Sequence, residues 1–349
     1  MKKNFPLNAW YAAAWSHEVG ARATLARTVC NQSLVLWRQP DGQPAALEDA
    51  CWHRRLPLSM GHVEGASVVC RYHGIAFDGS GRCTRMPSQD RISPVARVRS
   101  YPVLERHRLV WVWPGDPASA DPALLPDLHW NTDPAWEGDG DTLFAKCDYR
   151  LFLDNLMDLT HETFVHATSI GHQAIAHTPA STVHDSNSVT TTRWMYDIDA
   201  PPFWRTQLGR PGNVDRWQII RFEPPCTIVL DVGVALAGTG APQGDRSQGV
   251  NGRVLNTITP ETDGRCMYFW TLLRNYRLRD QALTNQLRTA NARIFEEDRA
   301  VVESQQRMLD ANPHMTLNAL NIDAGSVWAR RLIDAMIEAE AGAQAPSAA

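Results

Sequence analysis

The sequence predicts an α+β protein in which a small all-β domain is followed by a larger mixed domain. The first third holds many short apolar runs separated by Gly and Pro turns, which is typical of an all-β domain. Residues 114–140 are rich in Pro, Asp, Ala and Gly, as a connection between domains would be. The remainder mixes strand-like and helical patterns. We therefore expect one domain over 1–120 and a second over 140–349.

The individual elements follow from apolar periodicity and turn residues. In the first domain, strands are expected at 33–37, 45–47, 68–69, 75–77 and 109–113, with turns at 78–81 and 114–116. In the second domain, a helix is expected at 151–166, strands at 227–230 and 267–270, and a long helix at 281–311. The terminal residues 339–349 are rich in Ala with Gly, Pro and Ser, and they are expected to fray.

Composition excludes several classes of protein. Hydrophobic residues make up 44% and charged residues 21%, and the net charge is −4, which is ordinary for a globular protein. Nothing in the composition suggests the clustered basic surface that nucleic-acid binding needs, so no nucleic-acid partner is expected. No apolar run reaches 18 residues, so no membrane span is expected. Lys2 and Lys3 before the apolar residues 9–15 could begin a signal peptide, although the aromatic residues favour a packed strand.

The cysteine count favours a cytoplasmic chain. Seven cysteines are present, an odd number in a chain of 349 residues. A secreted disulfide framework is therefore not expected, and some of the thiolates are candidates for metal ligands.

Two loops each supply one cysteine and one histidine. The pattern is C-x-H followed, after sixteen residues, by C-x-x-H, and the four candidates are Cys51, His53, Cys70 and His73. A Rieske [2Fe–2S] cluster needs two thiolates on one iron and two imidazoles on the other. Zinc is the alternative, but zinc pairs usually consist of one residue type each. Gly61 and Gly74 would allow tight backbone turns beside the cluster.

A second set of candidate ligands lies at 154–166. Asn155, Asp158 and His161 are spaced to share one helix face, and His166 follows five residues after His161. Because five residues turn an ideal helix by about 140°, the two histidines can bind one ion only if the helix ends or bulges between them. We expect that irregularity at 163–165. The alternative is an ordinary helix with hydrogen-bonded core histidines.

The long C-terminal helix offers a carboxylate that would complete a mononuclear iron site. Asp298 lies four residues after Ile294 and three before Val301, on the apolar stripe, whereas Glu296 and Glu297 are expected to point elsewhere. A carboxylate on an apolar stripe is costly unless it is paired or bound to metal. Two histidines and one carboxylate form the facial triad of non-haem Fe(II) oxygenases, and a buried salt bridge is the alternative role for Asp298.

The residues resemble a known family. The chain is similar to the oxygenase components of Rieske non-haem iron oxygenases, and within them it is most similar to the vanillate O-demethylases, with toluenesulfonate methyl-monooxygenases and dicamba O-demethylases as relatives. The resemblance covers nearly the whole chain, and its motifs are Asn8-Ala-Trp-Tyr11, Cys51-x-His-Arg54, Cys70-x-Tyr-His-Gly74, Val110-Trp-Val-Trp-Pro-Gly-Asp116, Cys147-Asp-Tyr-Arg150, Asp154-Asn-Leu-Met-Asp-Leu-Thr-His-Glu-Thr163, Ala200-Pro-Pro-Phe-Trp-Arg205, Val214-Asp-Arg-Trp-Gln218 and Leu320-Asn-Ile-Asp-Ala-Gly325. It departs from the family at Trp52, where Pro is usual, and at Arg55-Leu56, which replace Gly-Ala.

The resemblance implies a Rieske β domain, a helix-grip catalytic domain and a homotrimer. In such trimers Asp158 would bridge His73 of one subunit to His161 of the next and couple electron transfer without binding iron. A carboxylate bonded to both imidazoles would also orient each ligand. Asn155 is expected to contact the iron ligands without binding the iron itself.

The implied activity is that of a terminal oxygenase. A separate flavin and plant-type [2Fe–2S] reductase would deliver electrons from NADH, and O2 would be the co-substrate. The expected reaction is hydroxylation of a methoxy carbon on a small aromatic acid, as in vanillate O-demethylation, or of a methyl carbon on an arylsulfonate or methylbenzoate. Asn256 stands where vanillate-type relatives carry an acid, and it is expected to face the substrate.

Three other functions stay open at this point. A Rieske ferredoxin with a binding domain would carry only one iron site. A zinc-stabilised binding protein would be colourless. A ring dihydroxylase usually has a longer chain.

Overall fold

The computed structural model describes residues 5–343 and divides by internal contacts into two units. The first contains the chain up to Leu125, Thr259–Asp263 and the segment from Glu340; the second contains Pro126–Ile258 and Gly264–Ala339. Lys2, Lys3 and residues 344–349 of the predicted frayed tail lie outside the described residues. The expectation of fraying is wrong for 339–343, which continue a helix in which Glu340 accepts hydrogen bonds from the backbone N–H groups of Leu7 and Asn8.

The N-terminal unit is built from three small antiparallel sheets. Their strand orders are β1-β11-β10, β2-β3-β4-β9 and β5-β6-β7-β8. The strands are β1 (Tyr11–Trp15), β2 (Leu25–Val29), β3 (Gln32–Arg38), β4 (Pro44–Glu48), β5 (His62–Glu64), β6 (Ser67–Val69), β7 (Ala76–Phe77), β8 (Cys83–Arg85), β9 (Ser100–Tyr101), β10 (Val103–Arg106) and β11 (Leu109–Val112). All five strands predicted here are confirmed. The apolar run 9–15 contributes the fully buried β1, as the packed-strand interpretation requires.

One core of this unit lies directly behind the two Cys/His loops. Val35 and Trp37 point inward from β3 at the two-residue period of a strand, and Phe77 meets them from β7. Cys51 and Cys70 belong to the same buried cluster. Because Cys51 and Cys70 are packed into this core, the core restrains the backbone of both loops.

The C-terminal unit is a seven-stranded antiparallel sheet with helices. The strand order is β12-β18-β17-β16-β15-β14-β13. The strands are β12 (Glu137–Ala145), β13 (Ser181–His184), β14 (Val189–Ile198), β15 (Val214–Glu223), β16 (Thr227–Leu236), β17 (Gly249–Thr262) and β18 (Arg265–Arg274). The helices are α1 (Tyr149–Met157), α2 (Glu162–Val165), α3 (Gln173–His177), α4 (Pro202–Leu208), α5 (Gln281–Ala311) and α6 (Ala324–Ala343).

Helix α5 has the predicted bounds, and it packs against β12 and β18. Asp280 starts it by accepting a hydrogen bond from the Leu283 N–H, the usual role of an aspartate at a helix N-cap. Its buried face recurs every three or four residues, through Leu283, Thr284, Leu287, Asn291, Ile294, Phe295, Asp298 and Val302. Within 5–343, no helix has both the length and the apolar character needed to cross a bilayer.

The prediction of one helix over 151–166 is wrong. Helix α1 ends at Met157, and Asp158 is extended, with φ −124° and ψ 102°. A 3₁₀ turn at Leu159–His161 then leads into the single turn of α2. The Asp158 carboxylate accepts from the Thr160 N–H at 2.9 Å, so this side chain competes with helix continuation by capping the next turn.

Candidate functional site

The two Cys/His loops have matching backbone geometry. The Cys51 N–H donates to the Leu56 carbonyl, and the Arg55 N–H donates back to the Cys51 carbonyl. The second loop repeats this pattern, with Cys70, Ile75 and Gly74 in the same roles. Arg55 and Gly74 both have positive φ, 57° and 71°, which glycine adopts freely and arginine only at a cost.

The four side chains of these loops converge. The thiols of Cys51 and Cys70 are buried, and the rings of His53 and His73 lie 4.7 Å apart at the surface. Burial, followed by the neighbouring Cys70, raises the pKa of the Cys51 thiol to about 11. Metal ligation requires thiolates, so loading this site would release protons. Two thiols with two imidazoles are the donor set of a Rieske cluster, and the residues present fit it.

Gly61 is needed where the backbone between the loops passes a neighbouring strand. A Cβ at this position would stand 1.9 Å from the carbonyl oxygen of Val69. The sequence predicts Gly61 for a tight turn, whereas the structure requires glycine there for the close approach to Val69, which immediately precedes the candidate ligand Cys70.

A second donor set lies in the C-terminal unit. His161, His166 and Asp298 each offer one ligand atom, and these atoms all lie within 4.8 Å of one another. The Asp298 carboxylate oxygen Oδ1 is 3.4 Å from His161 Nε2 and 3.1 Å from His166 Nε2. Two imidazoles and one carboxylate leave coordination positions free at an octahedral ion, so this set fits non-haem Fe(II).

The backbone brings both histidines to one point by ending the helix. Helix α2 stops at Val165, and His166 has the non-helical angles φ −109° and ψ 31°. The predicted helix end between His161 and His166 is thus found at 163–165, immediately before His166. The additional break at Asp158 was not predicted.

Hydrogen bonds to Nδ1 orient the two rings. His161 Nδ1 donates to the backbone carbonyl of Asp158 at 2.7 Å, and His166 Nδ1 donates to Glu297 Oε2 at 2.6 Å. Each Nε2 therefore faces Asp298, as a metal-binding tautomer requires. The expectation that Glu297 points elsewhere is wrong. Within the chain it is also the carbonyl of Asp158, and not its carboxylate, that holds His161.

Asn155 supports the carboxylate ligand. Its Nδ2 donates to Asp298 Oδ1 at 3.1 Å. Burial raises the pKa of Asp298, but hydrogen bonds and charge from His161 and His166 outweigh it and lower this pKa to about 2. For both histidines, burial lowers the pKa, but the neighbouring Asp298 raises it by more, so the pKa of each lies above its ordinary value. The site is therefore built for an anionic carboxylate beside positive charge, which a divalent cation also supplies.

A largely apolar cavity opens onto this donor set. It encloses ≈ 730 Å³ of empty space, a volume that includes space open to solvent. Helix α5 and the sheet form much of its wall. The lining residues are Leu156, Leu159, His161, Glu162, His166, Ile170, Phe203, Trp204, Arg216, Leu230, Val232, Val254, Leu272, Leu287, Ala290, Asn291, Ile294, Phe295 and Asp298.

The charged groups in the cavity wall are already paired. Arg216 Nη2 donates to Glu162 Oε2 at 2.9 Å, and Gln218 Nε2 donates to the other oxygen, Oε1, at 3.0 Å. Gln218 in turn accepts from Arg193 Nη1 at 3.1 Å, and Arg193 Nη2 donates to the Thr160 hydroxyl. This buried network was missed in the sequence because its members are distant along the chain.

Asn256 lies in the core beside the cavity. Its Nδ2 donates to the carbonyls of Ile228 and Val254, and its Oδ1 accepts from the Tyr268 hydroxyl at 2.7 Å. It is fully buried and is not among the described residues that line the cavity. The structure therefore gives no support for the expected contact between Asn256 and the substrate, because both ends of the Asn256 amide are hydrogen-bonded within the protein core.

Family models match the two parts of the chain that contain these donor sets. The Rieske [2Fe-2S] domain model matches residues 9–102, and the vanillate O-demethylase oxygenase C-terminal domain model matches residues 145–339. The chain is 45% identical to a vanillate O-demethylase oxygenase subunit of a Pseudomonas strain, over 96% of each chain. It is 38% identical to the toluene-4-sulfonate monooxygenase system iron-sulfur subunit of Comamonas testosteroni, over 98% of this chain and 100% of that one.

A solved structure shows the same fold. Dicamba monooxygenase bound to 3,6-dichlorosalicylic acid superposes with a TM-score of 0.91 at 34% identity, covering 97% of this chain and 99% of that one. The α+β architecture is thereby confirmed. With a Rieske domain, a second donor set suited to iron and relatives of this similarity over the full chain, the protein belongs to the vanillate O-demethylase oxygenase family and is the terminal oxygenase component of a Rieske monooxygenase.

Proposed function

We propose that this oxygenase hydroxylates a methoxy carbon on a small anionic aromatic acid, as in the O-demethylation of vanillate. The observation that carries the proposal is the apolar cavity that opens onto His161, His166 and Asp298. Its walls suit a single aromatic ring, and its few polar groups could orient a substituent. Relatives named for vanillate and for toluene-4-sulfonate support an aromatic acid as substrate.

The chain's own residues would hold the metal centres, orient the substrate and exclude water from the site. A Rieske cluster and Fe(II) would supply electron storage and dioxygen activation. Cys51, His53, Cys70 and His73 would hold the cluster, and His161, His166 and Asp298 would hold the iron. Apolar walls such as Leu287 and Ile294 keep water from the reacting carbon. Insertion of one oxygen atom into a methoxy C–H bond gives a hemiacetal, which releases formaldehyde and leaves a phenol.

Electrons would reach this chain from a separate reductase. The relatives are named as components of multi-component systems, which implies such a partner. We infer a flavin and [2Fe–2S] reductase that oxidises NADH. The reaction balances with one O2, two electrons and two protons per methoxy group, and the second oxygen atom leaves as water. A cytoplasmic location suits this partner and the seven cysteines, none of which forms a disulfide within residues 5–343.

We further propose a homotrimer in which electrons cross between subunits at Asp158. Its carboxylate has two intrachain partners, the Thr160 N–H at 2.9 Å and Arg193 Nη2 at 3.9 Å, and its side chain is still 15% exposed, which would allow contact with a neighbouring subunit. A complementation experiment tests this. Chains with His73→Ala and chains with Asp298→Ala are each expected to be inactive, and co-assembly is expected to restore part of the activity. If mixed assemblies form and stay inactive, transfer between subunits is refuted.

The substrate is tested by oxygen and NADH consumption with a matched reductase. Vanillate, toluene-4-sulfonate and methoxybenzoates are compared, and formaldehyde and the ring product are quantified. Stoichiometric formaldehyde from vanillate supports O-demethylation. Hydroxymethyl product from toluene-4-sulfonate would favour the second candidate, methyl hydroxylation. Product from neither class would refute the proposal. The Asp298→Ala variant controls for uncoupled oxygen consumption.

Iron content separates the oxygenase from a ferredoxin with a binding domain. Two irons in the cluster and one in the mononuclear site give about three per chain, whereas a ferredoxin would hold about two.

A further inference from the structure

Asn291 carries a buried hydrogen-bond donor without a partner. The residue lies on α5, lines the cavity and is 9% exposed. Its side-chain Nδ2 is closed off from solvent and meets no acceptor among residues 5–343. Most buried donors in folded proteins are hydrogen-bonded, and one that is not costs stability. A donor kept at this cost in the wall of a ligand cavity indicates an acceptor supplied by the ligand.

Helix geometry sets the distance between Asn291 and the iron ligand. Asn291 precedes Asp298 by seven residues, or two turns, so both side chains face the same side of α5. The rise along the helix axis from Asn291 to Asp298 is about 10.5 Å. Ile294 and Phe295 lie between them and also line the cavity. The surface between the donor and the iron site is therefore apolar, and its length is comparable with a benzene ring that carries an acid group and, meta or para to it, a methoxy or methyl group.

The cation in the cavity wall is not free to receive an acid group. Arg216 donates to Glu162 at 2.9 Å, and both side chains are almost fully buried, at 3% and 6% exposure. An anion placed on Arg216 would have to displace or face the Glu162 carboxylate. Asn291 presents a donor with no such competitor, and a hydrogen bond from a neutral amide to an anion is stronger than one to a neutral acceptor.

We propose that Asn291 Nδ2 donates to the acid group of the aromatic substrate and thereby directs the oxidisable carbon, on the ring position meta to the acid in vanillate and para to it in toluene-4-sulfonate, towards the iron site. This inference rests on the proposed function and names the group that selects for an acid at the distal end of the ring. The substrate acid group would accept the hydrogen bond, the apolar residues Ile294 and Phe295 would contact the ring, and the oxidisable carbon would lie beside His161, His166 and Asp298. Asn291 is thus a specificity-determining residue of the reaction.

Equilibrium binding under anaerobic conditions tests this inference without turnover. Iron-loaded protein is titrated calorimetrically with vanillate and with guaiacol, which has the same methoxyphenol ring but no carboxylate. Asn291→Leu, of similar volume, removes the donor, and Asn291→Asp replaces it with a charge that repels an acid. The matched control is Asn285→Leu, the same exchange on the exposed side of α5.

Asn291→Leu is expected to weaken vanillate binding by about ten- to a hundredfold, the range for a hydrogen bond to a charged group. Asn291→Asp is expected to weaken it at least as much. Guaiacol binding is expected to stay within a few-fold of wild type, and the ligand-free Asn291→Leu protein is expected to melt no lower than Asn285→Leu. The ratio of the two affinities is the readout, because a purely structural role would change both ligands alike.

The possible outcomes distinguish a failure of the Asn291 role from a failure of the proposed function. If wild type binds vanillate and Asn291→Leu binds it equally well, the role of Asn291 is refuted while the proposed function stands. Equal losses for vanillate and guaiacol also refute the role, since they indicate a change of cavity shape. If wild type binds no aromatic acid, the proposed function and this inference both fall.

Discussion

Removing the Glu162 carboxylate tests how the cavity wall is stabilised. Glu162 and Arg216 form an ion pair at 2.9 Å, and their side chains are 6% and 3% exposed. Gln218 donates to the second carboxylate oxygen. The substitution Glu162→Ala leaves the guanidinium buried without its counter-charge and leaves the Gln218 amide without its acceptor.

The magnitude follows from opposing electrostatic contributions. At 2.9 Å and an effective dielectric constant of about 20, the Coulomb attraction is about 6 kcal/mol. Desolvation offsets much of it: burial is the largest influence on Arg216 and lowers its pKa despite Glu162. The intact pair therefore contributes little net stability. Without Glu162, the cost of desolvating the Arg216 guanidinium is no longer offset. Glu162→Ala is therefore expected to lower the free energy of unfolding by about 3–5 kcal/mol.

Denaturant unfolding of equally metal-loaded proteins measures this loss, provided that unfolding is a single reversible transition and that the slope with denaturant is unchanged. The double variant Glu162→Leu with Arg216→Met removes both charges and is expected to lie near wild type or above it. Glu64→Ala breaks an exposed pair with Arg85 and is the control; its midpoint should hardly move. A loss below about 1 kcal/mol in Glu162→Ala would refute the reasoning, since it would mean that water or another group solvates Arg216.

Three further predictions concern the metal centres. Asp298→Ala is expected to abolish turnover and keep the visible absorption of the cluster; full activity would contradict its role as third iron ligand. Glu297→Ala is expected to weaken iron binding by about 10- to 100-fold in titrations of the apoprotein, because His166 loses its Nδ1 acceptor, whereas the exposed Glu296→Ala should bind iron normally. Gly61→Ala is expected to lower cluster content per chain, since its Cβ would meet the Val69 carbonyl at 1.9 Å; Gly20→Ala, with open space around it, is the control.

The candidate metal ligands could be chosen from the sequence because their constraints are local or periodic. The Cys/His loops are recognisable from spacing alone. Asp298 was found because a carboxylate on the apolar stripe of α5 needs a partner, and the structure buries it at 2% exposure. The helix end before His166 also followed from geometry, since His161 and His166 could not otherwise share one ion.

The remaining features depend on contacts that the sequence does not display. Asn291 has the spacing of the buried face, but the sequence does not show that its side-chain donor is left without an acceptor. Arg216 and Glu162 are 54 residues apart and meet only when β15 packs beside α2. The break at Asp158 arises from competition between a capped turn and a continuous helix, and local propensity does not decide it.

Helix α5 links iron binding to substrate selection. Asp298 would bind the iron, Glu297 orients His166, and Asn291 faces the cavity two turns earlier. These residues share one regular helix that packs against β12 and β18, so their spacing is fixed by helical rise. A longer substrate therefore cannot be accommodated by moving Asn291 away from the iron site. A change of substrate must come from the opposite wall, at sheet residues such as Leu230 and Val254, or from the identity of residue 291 itself.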